Sequence, residues 1–234
     1  MASSESEASL QRSAYVGHDG RRGEARFLPG GACADEPGAA LVWAGALGDA
    51  GEAELFAAWH DAGIAVLAVD AFASAADTPD RAAVADLEAA FEHLGSRPEL
   101  DLERIAVAGV GRGGTRALLF ACSSRRVAAA VQVAGPLVHA ELSRERPAQP
   151  YELAANLSCP LLALFGSEDP ATPPQHLELF ERTLGPWMKT YELETIEGAG
   201  PGLLDPASGG YHQERAQRTR ERILRFLREC LELP

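Results

Sequence analysis

A glycine-rich turn between an apolar strand and an apolar helix is the part of this chain best suited to chemistry. The segment Ile105–Cys122 reads IAVAGVGRGGTRALLFAC, a β-branched and alanine run followed by the turn and a helix-forming stretch. A strand, a sharp turn and a helix in this order form a nucleophile elbow, whose pattern is Gly-x-nucleophile-x-Gly. The middle position here is Gly111, which has no side chain that could attack a substrate. The sequence therefore predicts a catalytic turn without its nucleophile.

The elements that must position this turn alternate between strand-like and helix-like segments. A hairpin is predicted around 17–20, and strands at 40–43, 64–69, 105–108, 127–133, 160–165 and 191–196. Helices are predicted at 52–62, 79–94, 115–122, 174–184 and 211–231. Thr78 and Pro79 have the residue types of an N-cap and a first helical position, and 135–157 is predicted to be irregular. This alternation predicts an α/β fold with a mostly parallel, twisted sheet and helices on both faces. We expect a tail at 1–12 and one domain at 13–234.

Charge and composition exclude several classes of function. The 234 residues include 34 acidic and 21 basic side chains, a formal charge of −13. Such a surface repels phosphate backbones and anionic membranes, so no nucleic acid or membrane partner is expected. The first residues, MASSESEASLQRS, have neither the basic nor the apolar region of a signal peptide. We expect a cytoplasmic protein that is a monomer or a homodimer.

No metal or cofactor is predicted. The four cysteines lie far apart without a C-x-x-C pair, which argues against a zinc site and a disulfide framework. Cys122 and Cys159 border apolar segments and are expected to be small buried hydrophobes. His60, His93 and His139 show no metal-ligand spacing. The closing helix contains six arginines interleaved with glutamates, which predicts a solvated face with i,i+4 pairs.

Several separate motifs, in order, resemble the dienelactone hydrolase family of α/β-hydrolases over nearly the whole chain. They are the strand end VDAF at 69–72, DLERIAVAGVGRGG at 101–114, LFGSEDP at 164–170 and IEGAG at 196–200. The resemblance implies the α/β-hydrolase fold. It also implies a Cys or Ser nucleophile in the elbow, then an Asp after a later strand, then a His after the Gly-Ala-Gly turn.

Carried over to this chain, the resemblance leaves one triad position filled. Asp169 stands at the acid position, whereas Gly111 stands at the nucleophile and Pro201 at the histidine. Proline can neither accept nor donate a proton. The resemblance places the oxyanion donors at the backbone N–H groups of Arg112 and Ala46, with Leu47 beside them.

The function expected from this pattern is that of a pseudoenzyme with a retained small-molecule pocket. It should not hydrolyse esters or lactones by the covalent route, because losing a nucleophile costs about 10⁶ in turnover in a well-studied serine protease. The oxyanion donors are backbone groups and would remain. They could hold a carbonyl, lactone or carboxylate oxygen, and Gly111 would remove the strain of about 1–3 kcal/mol that a nucleophile bears at positive φ.

Other interpretations remain open. An active enzyme of altered chemistry, such as a lyase, cyclase or isomerase, could use Asp169 as general base together with the oxyanion donors. Side chains that could assist are Ser167, Thr115, His176 and His212, although His176 is expected to face outward. A non-catalytic scaffold or partner protein is a third possibility.

The glycines of the elbow also match G-x-G-x-x-G, the dinucleotide-binding pattern. That pattern belongs to the first βα unit and requires an acidic residue at the end of the next strand. Here several strands precede the motif, and the next strand ends Val131-Gln132-Val133 without an acid. A Rossmann oxidoreductase is therefore not expected.

Overall fold

Eight strands form one sheet in the computed structural model of the protein. The structure describes residues 10–17, 19–31, 38–45, 47–69, 79–144, 146–185 and 190–233. The strands are β1 Gln11–Val16, β2 Arg22–Leu28, β3 Gly38–Ala44, β4 Ile64–Val69, β5 Leu100–Val110, β6 Ala130–Val133, β7 Leu161–Gly166 and β8 Tyr191–Ile196. Their order is β1-β2-β4-β3-β5-β6-β7-β8. Strands β1, β2 and β4 pair antiparallel and all later pairs are parallel, so the predicted mostly parallel sheet is confirmed.

Helices cover both faces of this sheet, as predicted. They are α1 Gly48–Asp61, α2 Asp80–Gly95, α3 Arg112–Ser123, α4 Pro150–Leu153, α5 Pro174–Leu184 and α6 Gln213–Cys230, with a 3₁₀ turn at Ala154–Asn156. One core layer contains the buried side chains of α2, α3 and α5, and the other contains those of α1 and α6. Each central strand is buried on both faces because of this coverage. None of the described helices is long and apolar enough to cross a membrane.

Element boundaries differ from the sequence prediction at several points. Helix α2 begins at Asp80, so Pro79 takes the N-cap position rather than the first helical one, and Thr78 lies outside the described residues. Strand β6 begins at residue 130 rather than 127. The segment predicted to be irregular contains α4 and the 3₁₀ turn, because Gln149 and Glu152 form a capping box and Pro150 fits the first turn. Strand β1 begins two residues before the predicted domain boundary.

Two predictions about side-chain burial were partly wrong. Cys159 is buried as expected, but Cys122 is only half-buried. In α6, Arg218 and Glu214 lie 4.0 Å apart as an i,i+4 pair, whereas Arg220 pairs with Glu54 of α1 at 2.9 Å. Arg222 of this helix pairs with Glu194 of β8 at 2.5 Å. The helix is therefore attached to other elements by ion pairs that its own periodicity does not reveal.

Candidate active site

Gly111 forms the sharp turn between β5 and α3. Its φ is +55° and its ψ is −129°, a backbone conformation that residues with a side chain rarely adopt. The Gly111 N–H donates to the carbonyl of Val133 at 2.8 Å, and the Gly111 carbonyl accepts from the Thr115 N–H at 3.2 Å. Apart from the adjoining residues, none of the described residues comes within 4 Å of the place that a Cβ atom on Gly111 would take. A side chain at this position would therefore project away from the described residues.

The other glycines of the turn allow the strand and the helix to pack closely. A Cβ atom on Gly109 would lie 2.4 Å from the carbonyl oxygen of Ala44, and one on Gly113 would lie 1.8 Å from the same oxygen. Both distances are far shorter than a non-bonded contact, so only glycine fits. This packing places the end of β3 directly beside the start of α3.

The start of α3 has backbone donors next to Gly111. Arg112 is the first residue of the helix, and the first N–H groups of a helix have no partner within it. The side chain of Arg112 is exposed. Ala46, the other predicted oxyanion donor, lies outside the described residues. Leu47 is 3% exposed and packs in the core layer of α1 and α6.

Asp169 lies in the turn after β7, where the sequence predicts the acid. The residue is 6% exposed, and its Oδ1 accepts the N–H of Ala171 at 2.9 Å. The Asp169 backbone also closes the turn, since its N–H donates to Gly166 and its carbonyl accepts from Thr172. The carboxylate is therefore held by its own turn.

The loop that contains Pro201 lies against the Asp169 turn. The Glu168 N–H donates to the Ala199 carbonyl at 2.9 Å, and the Gly198 N–H donates to the Ser167 Oγ at 2.8 Å. Pro201 itself is exposed, and its carbonyl accepts from the Ser208 Oγ at 3.0 Å. The structure thus brings together the loops that contain the predicted acid and histidine positions, although Pro201 contributes no proton-transfer group.

The side chains considered for a relocated catalytic set have structural partners or lie elsewhere. Ser167 accepts the N–H bond just described, and the Thr115 Oγ1 donates to the Pro136 carbonyl at 2.8 Å. His212 is exposed at the N-cap of α6. His176 does not simply face outward, because it is half-buried and its Nδ1 is a buried atom with no hydrogen-bond partner among the described residues.

Comparisons with known proteins identify the family to which the chain belongs. The sequence model of the dienelactone hydrolase family matches residues 62–231, which is well over half of the chain. The chain belongs to the dienelactone hydrolase family. Among the described residues of this family member, no group of three or more His, Cys, Asp or Glu side chains could hold a metal ion.

Named relatives are identical to the chain at about a third or less of the aligned residues. The protein named "Putative carboxymethylenebutenolidase" from Yersinia pestis is 32% identical over 146 residues, 62% of this chain and 54% of that protein. "Probable 2-oxo-3-(5-oxofuran-2-ylidene)propanoate lactonase" from a Bradyrhizobium species is 28% identical over 149 residues, 64% of this chain and 60% of that protein. The chain therefore spans a little over half the length of the curated relatives it matches.

Solved structures of similar proteins extend the likeness of fold to nearly the whole chain. The crystal structure of a "Putative Dienelactone Hydrolase" from Klebsiella pneumoniae has a TM-score of 0.81 at 22% identity and covers 94% of this chain and 98% of that one. A dienelactone hydrolase-like promiscuous phosphotriesterase from metagenomic libraries has a TM-score of 0.78 at 18% identity, covering 97% and 99%. At these identities the likeness concerns the α/β-hydrolase fold.

A cluster of charged side chains beside the elbow was not found from the sequence. Asp80, the first residue of α2, lies within ion-pair distance of three cationic or imidazole groups. The partners are Arg116 Nε at 3.6 Å from Oδ1, His139 Nε2 at 3.1 Å from Oδ2 and Arg146 Nε at 3.7 Å from Oδ2. These residues are far apart in the chain, so no local pattern could reveal them.

Burial lowers the pKa of two basic side chains in this cluster. It lowers the pKa of His139, an effect that Arg146 increases and the Asp80 carboxylate opposes. Burial likewise lowers the pKa of Arg116, and Arg112 and Arg146 lower it further, while Asp80 raises it. The neutral form of His139 is therefore favoured more than in a free imidazole.

Proposed function

We propose that this member of the dienelactone hydrolase family binds a small carbonyl, lactone or carboxylate compound at the elbow and forms no covalent acyl-enzyme there. The observation that supports this proposal is the elbow itself, where Gly111 adopts φ +55° and none of the described residues beyond its neighbours occupies the place of a side chain. The N–H groups at the start of α3 supply donors for a ligand oxygen. Pro201 supports the loss of the covalent route, because the position of the base is empty as well.

A ligand screen tests the proposed binding. Thermal unfolding would be measured with dihydrocoumarin, phenylacetate, p-nitrophenyl acetate and S-phenyl thioacetate, for the natural chain and for Gly111→Trp. A ligand at 100 times its Kd stabilises a protein by about 2.7 kcal/mol, which raises Tm by several degrees for a chain of this length. We expect a shift that Gly111→Trp abolishes, because the indole fills the open space.

Gly111→Ala is the matched control for this screen. It introduces a side chain at the same positive φ without filling the space, so the ligand-induced shift should persist. A shift that also survives in Gly111→Trp would place the ligand elsewhere and contradict the proposal. The absence of any shift would instead favour a scaffold or partner protein.

The loss of the covalent route predicts the behaviour of Gly111→Ser. This variant has a hydroxyl group in the nucleophile position but no base at Pro201, so its turnover of p-nitrophenyl acetate should not exceed that of the natural chain. Intact-protein mass spectrometry should detect no acetyl adduct on either protein. The double variant Gly111→Ser, Pro201→His is the control, because it supplies both missing groups. An acetyl adduct on the natural chain, or fast turnover by Gly111→Ser alone, would contradict the proposed function.

An enzyme of altered chemistry is the second candidate function. It is favoured by Asp169, which is buried at the predicted acid position and whose carboxylate accepts only one hydrogen bond from the described residues, that of the Ala171 backbone N–H. In this case Asp169 would accept a proton from a carbon next to a carbonyl group, and the donors of α3 would stabilise the enolate. Exchange of that proton with deuterated water, lost in Asp169→Asn, would support this candidate.

A further inference from the structure

Strand β1 is the first strand in the order of the sheet formed by the described residues. It pairs with β2 on one side, and no described strand pairs with its other side. An edge of this kind presents backbone N–H and C=O groups with which a strand of another chain can pair. Leu10, the residue before β1, is 40% exposed, and Val16, its last residue, is 70% exposed. Two large apolar side chains therefore stand at the two ends of this edge.

The side chains of β1 alternate between the two faces of the sheet. Tyr15 is buried in the core layer of α2, and the Ser13 Oγ lies 3.1 Å from the Nε2 of His93 on the same helix. The odd-numbered residues of the strand therefore face α2. The even-numbered residues lie on the opposite face, and extending the strand by one residue adds Leu10 to them; they are Leu10, Arg12, Ala14 and Val16.

This second face contains charges that the fold of one copy leaves unbalanced. Arg12 lies directly opposite Arg26 of β2, and Ala14 lies directly opposite Glu24. Like charges directly opposite each other destabilise a pair of strands. Arg26 pairs with Glu52 at 2.8 Å, whereas neither Arg12 nor Glu24 forms an ion pair with any described residue. Both of these side chains are exposed, so each can pair with a charge outside this copy.

We propose that the chain forms a homodimer in which the two β1 strands pair antiparallel about a twofold axis at Ser13. In this register Leu10 lies opposite Val16 of the second copy, and Arg12 lies opposite Ala14 of the second copy. The opposite residues in every pair are both even-numbered or both odd-numbered, so the faces of the two sheets match. The pairing covers all of 10–16 in both copies, whereas an axis at any other residue leaves part of this stretch unpaired.

The proposed register brings the unbalanced charges of the two copies together. Next to Arg12 lies Ala14 of the second copy, and next to that alanine lies Glu24 on β2 of the same copy. Adjacent strands are about 4.8 Å apart, so Arg12 and this Glu24 are separated by about 10 Å at the backbone. Their long side chains can meet above the methyl group of the alanine. The twofold axis creates the same ion pair again on the other side, as in any isologous interface.

The same register covers the exposed apolar side chains at the ends of the edge. Leu10 and Val16 of the second copy become direct cross-strand neighbours, with Cβ atoms about 4.5–5.5 Å apart. The twofold axis makes two such contacts, and removing these side chains from water stabilises the dimer. The opposite end of the sheet differs, because β8 contains Glu192 and Glu194, and charged side chains at an edge disfavour pairing with another strand. Strand β1 is therefore the edge that fits a second copy.

Sedimentation equilibrium of the full chain over a range of concentrations tests the proposal. We expect the natural chain to form a dimer. Arg12→Glu and Glu24→Arg should each raise its Kd about 10-fold or more, because two like-charge contacts replace two ion pairs. The double variant Arg12→Glu, Glu24→Arg reverses both charges and should restore the Kd of the natural chain. A natural chain that stays monomeric, or a double variant that dimerises no more tightly than Arg12→Glu, would overturn the proposal.

Val16→Asp tests the apolar contact. It places a charge opposite Leu10 of the second copy, so the equilibrium should shift to the monomer. Leu142→Asp is the matched control, because Leu142 is 52% exposed but lies in the segment after β6. Its Kd should equal that of the natural chain. Equal values of Kd for Val16→Asp and Leu142→Asp would show that any dimer uses another surface, which contradicts the proposed interface.

Hydrogen exchange separates loss of the dimer from loss of the fold. The backbone N–H groups on the outer side of β1 should exchange more slowly as the concentration of the natural chain rises, because the second copy binds them. This protection should be lost in Arg12→Glu, whereas the other strands should stay protected, since the new carboxylate lies opposite Arg26 in its own copy. Exchange of β1 that is independent of concentration in the natural chain would refute pairing through this edge.

Discussion

At the scale of single residues, Gly111 shows how backbone strain and catalysis are linked. A residue with a side chain at φ +55° and ψ −129° is strained by about 1–3 kcal/mol. An active hydrolase tolerates that strain because the turn exposes its nucleophile. In this chain glycine removes the strain, and the free energy of unfolding is correspondingly higher.

Gly111→Ala should therefore lower the free energy of unfolding by about 1–3 kcal/mol, measured by urea denaturation. No steric clash contributes, because the added Cβ would meet none of the described residues beyond its neighbours. Gly185→Ala is the matched control, since its Cβ also meets no described residue within 4 Å but its φ is −55°. That substitution should instead stabilise the protein by about 0.4–1 kcal/mol. Equal effects of the two substitutions would show that Gly111 is unstrained.

The elbow could be predicted from sequence, whereas the Asp80 cluster could not. The spacing of Gly109, Gly111 and Gly113 is a local pattern. It predicts the turn because glycine adopts positive φ and allows close packing of the backbone. Asp80 and His139 meet only because the sheet places the end of β6 beside the start of α2 and α3. A histidine without local partners in the sequence gives no sign of a distant carboxylate.

At the scale of elements, Arg222 of α6 forms ion pairs with the strand at the edge of the sheet. Arg222 pairs with Glu192 and with Glu194 of β8, the latter at 2.5 Å, and its side chain is only 12% exposed. Strand β8 is the last strand of the sheet formed by the described residues. The ion pairs therefore help to hold both the helix and the edge strand.

Arg222→Ala should lower the free energy of unfolding by about 1–2 kcal/mol, because two charge-assisted hydrogen bonds are lost from a largely buried guanidinium group. Urea denaturation measures the change, and hydrogen exchange should show faster opening of β8. Arg218→Ala is the control on the same helix, where the 4.0 Å pair with Glu214 is exposed and should contribute less than about 0.5 kcal/mol. If both variants lose the same stability, the helix is not held by Arg222.

The elements themselves were largely predictable, and their ends and partners less so. The strand Tyr191–Ile196 and the helix Pro174–Leu184 match the prediction at both ends, because hydrophobic periodicity and the proline define them. The short helix Pro150–Leu153 was missed, since its capping box involves a glutamine, which is uncommon at an N-cap. The partners of Arg220 and Arg222 depend on which strand and helix lie nearby, which periodicity does not specify.

At the scale of the whole molecule, two opposing effects govern stability as the pH falls. The formal charge of −13 disfavours the compact state by self-repulsion at neutral pH, and that repulsion decreases as the pH approaches the isoelectric point near 4.9. Half-buried histidines that favour the neutral form act in the other direction. His93, whose Nε2 lies 3.1 Å from the Ser13 Oγ of β1, is such a group.

Burial lowers the pKa of His93, and the nearby Arg97 lowers it further. The unfolded chain, with its ordinary pKa of about 6.5, then binds the proton more readily than the folded chain does. The contribution of His93 is therefore fully present above pH 6.5 and is lost as the pH falls through the lower, folded pKa. His139 acts in the same direction. We accordingly expect unfolding free energies measured by urea denaturation to decline less between pH 7 and 5 in His93→Gln than in the natural chain.

Self-repulsion changes with pH in the same way in His93→Gln and in the natural chain. The difference between their unfolding free energies therefore reports the contribution of His93 alone. The double variant His93→Gln, His139→Gln should show the flattest dependence of all, since both half-buried imidazoles are then absent. The exposed His212 provides the control, because replacing it by glutamine leaves both half-buried imidazoles in place and should leave the pH dependence as it is. If His93→Gln reproduces the slope of the natural chain, the protonation of His93 is not coupled to folding, and the contact between α2 and β1 does not depend on its charge.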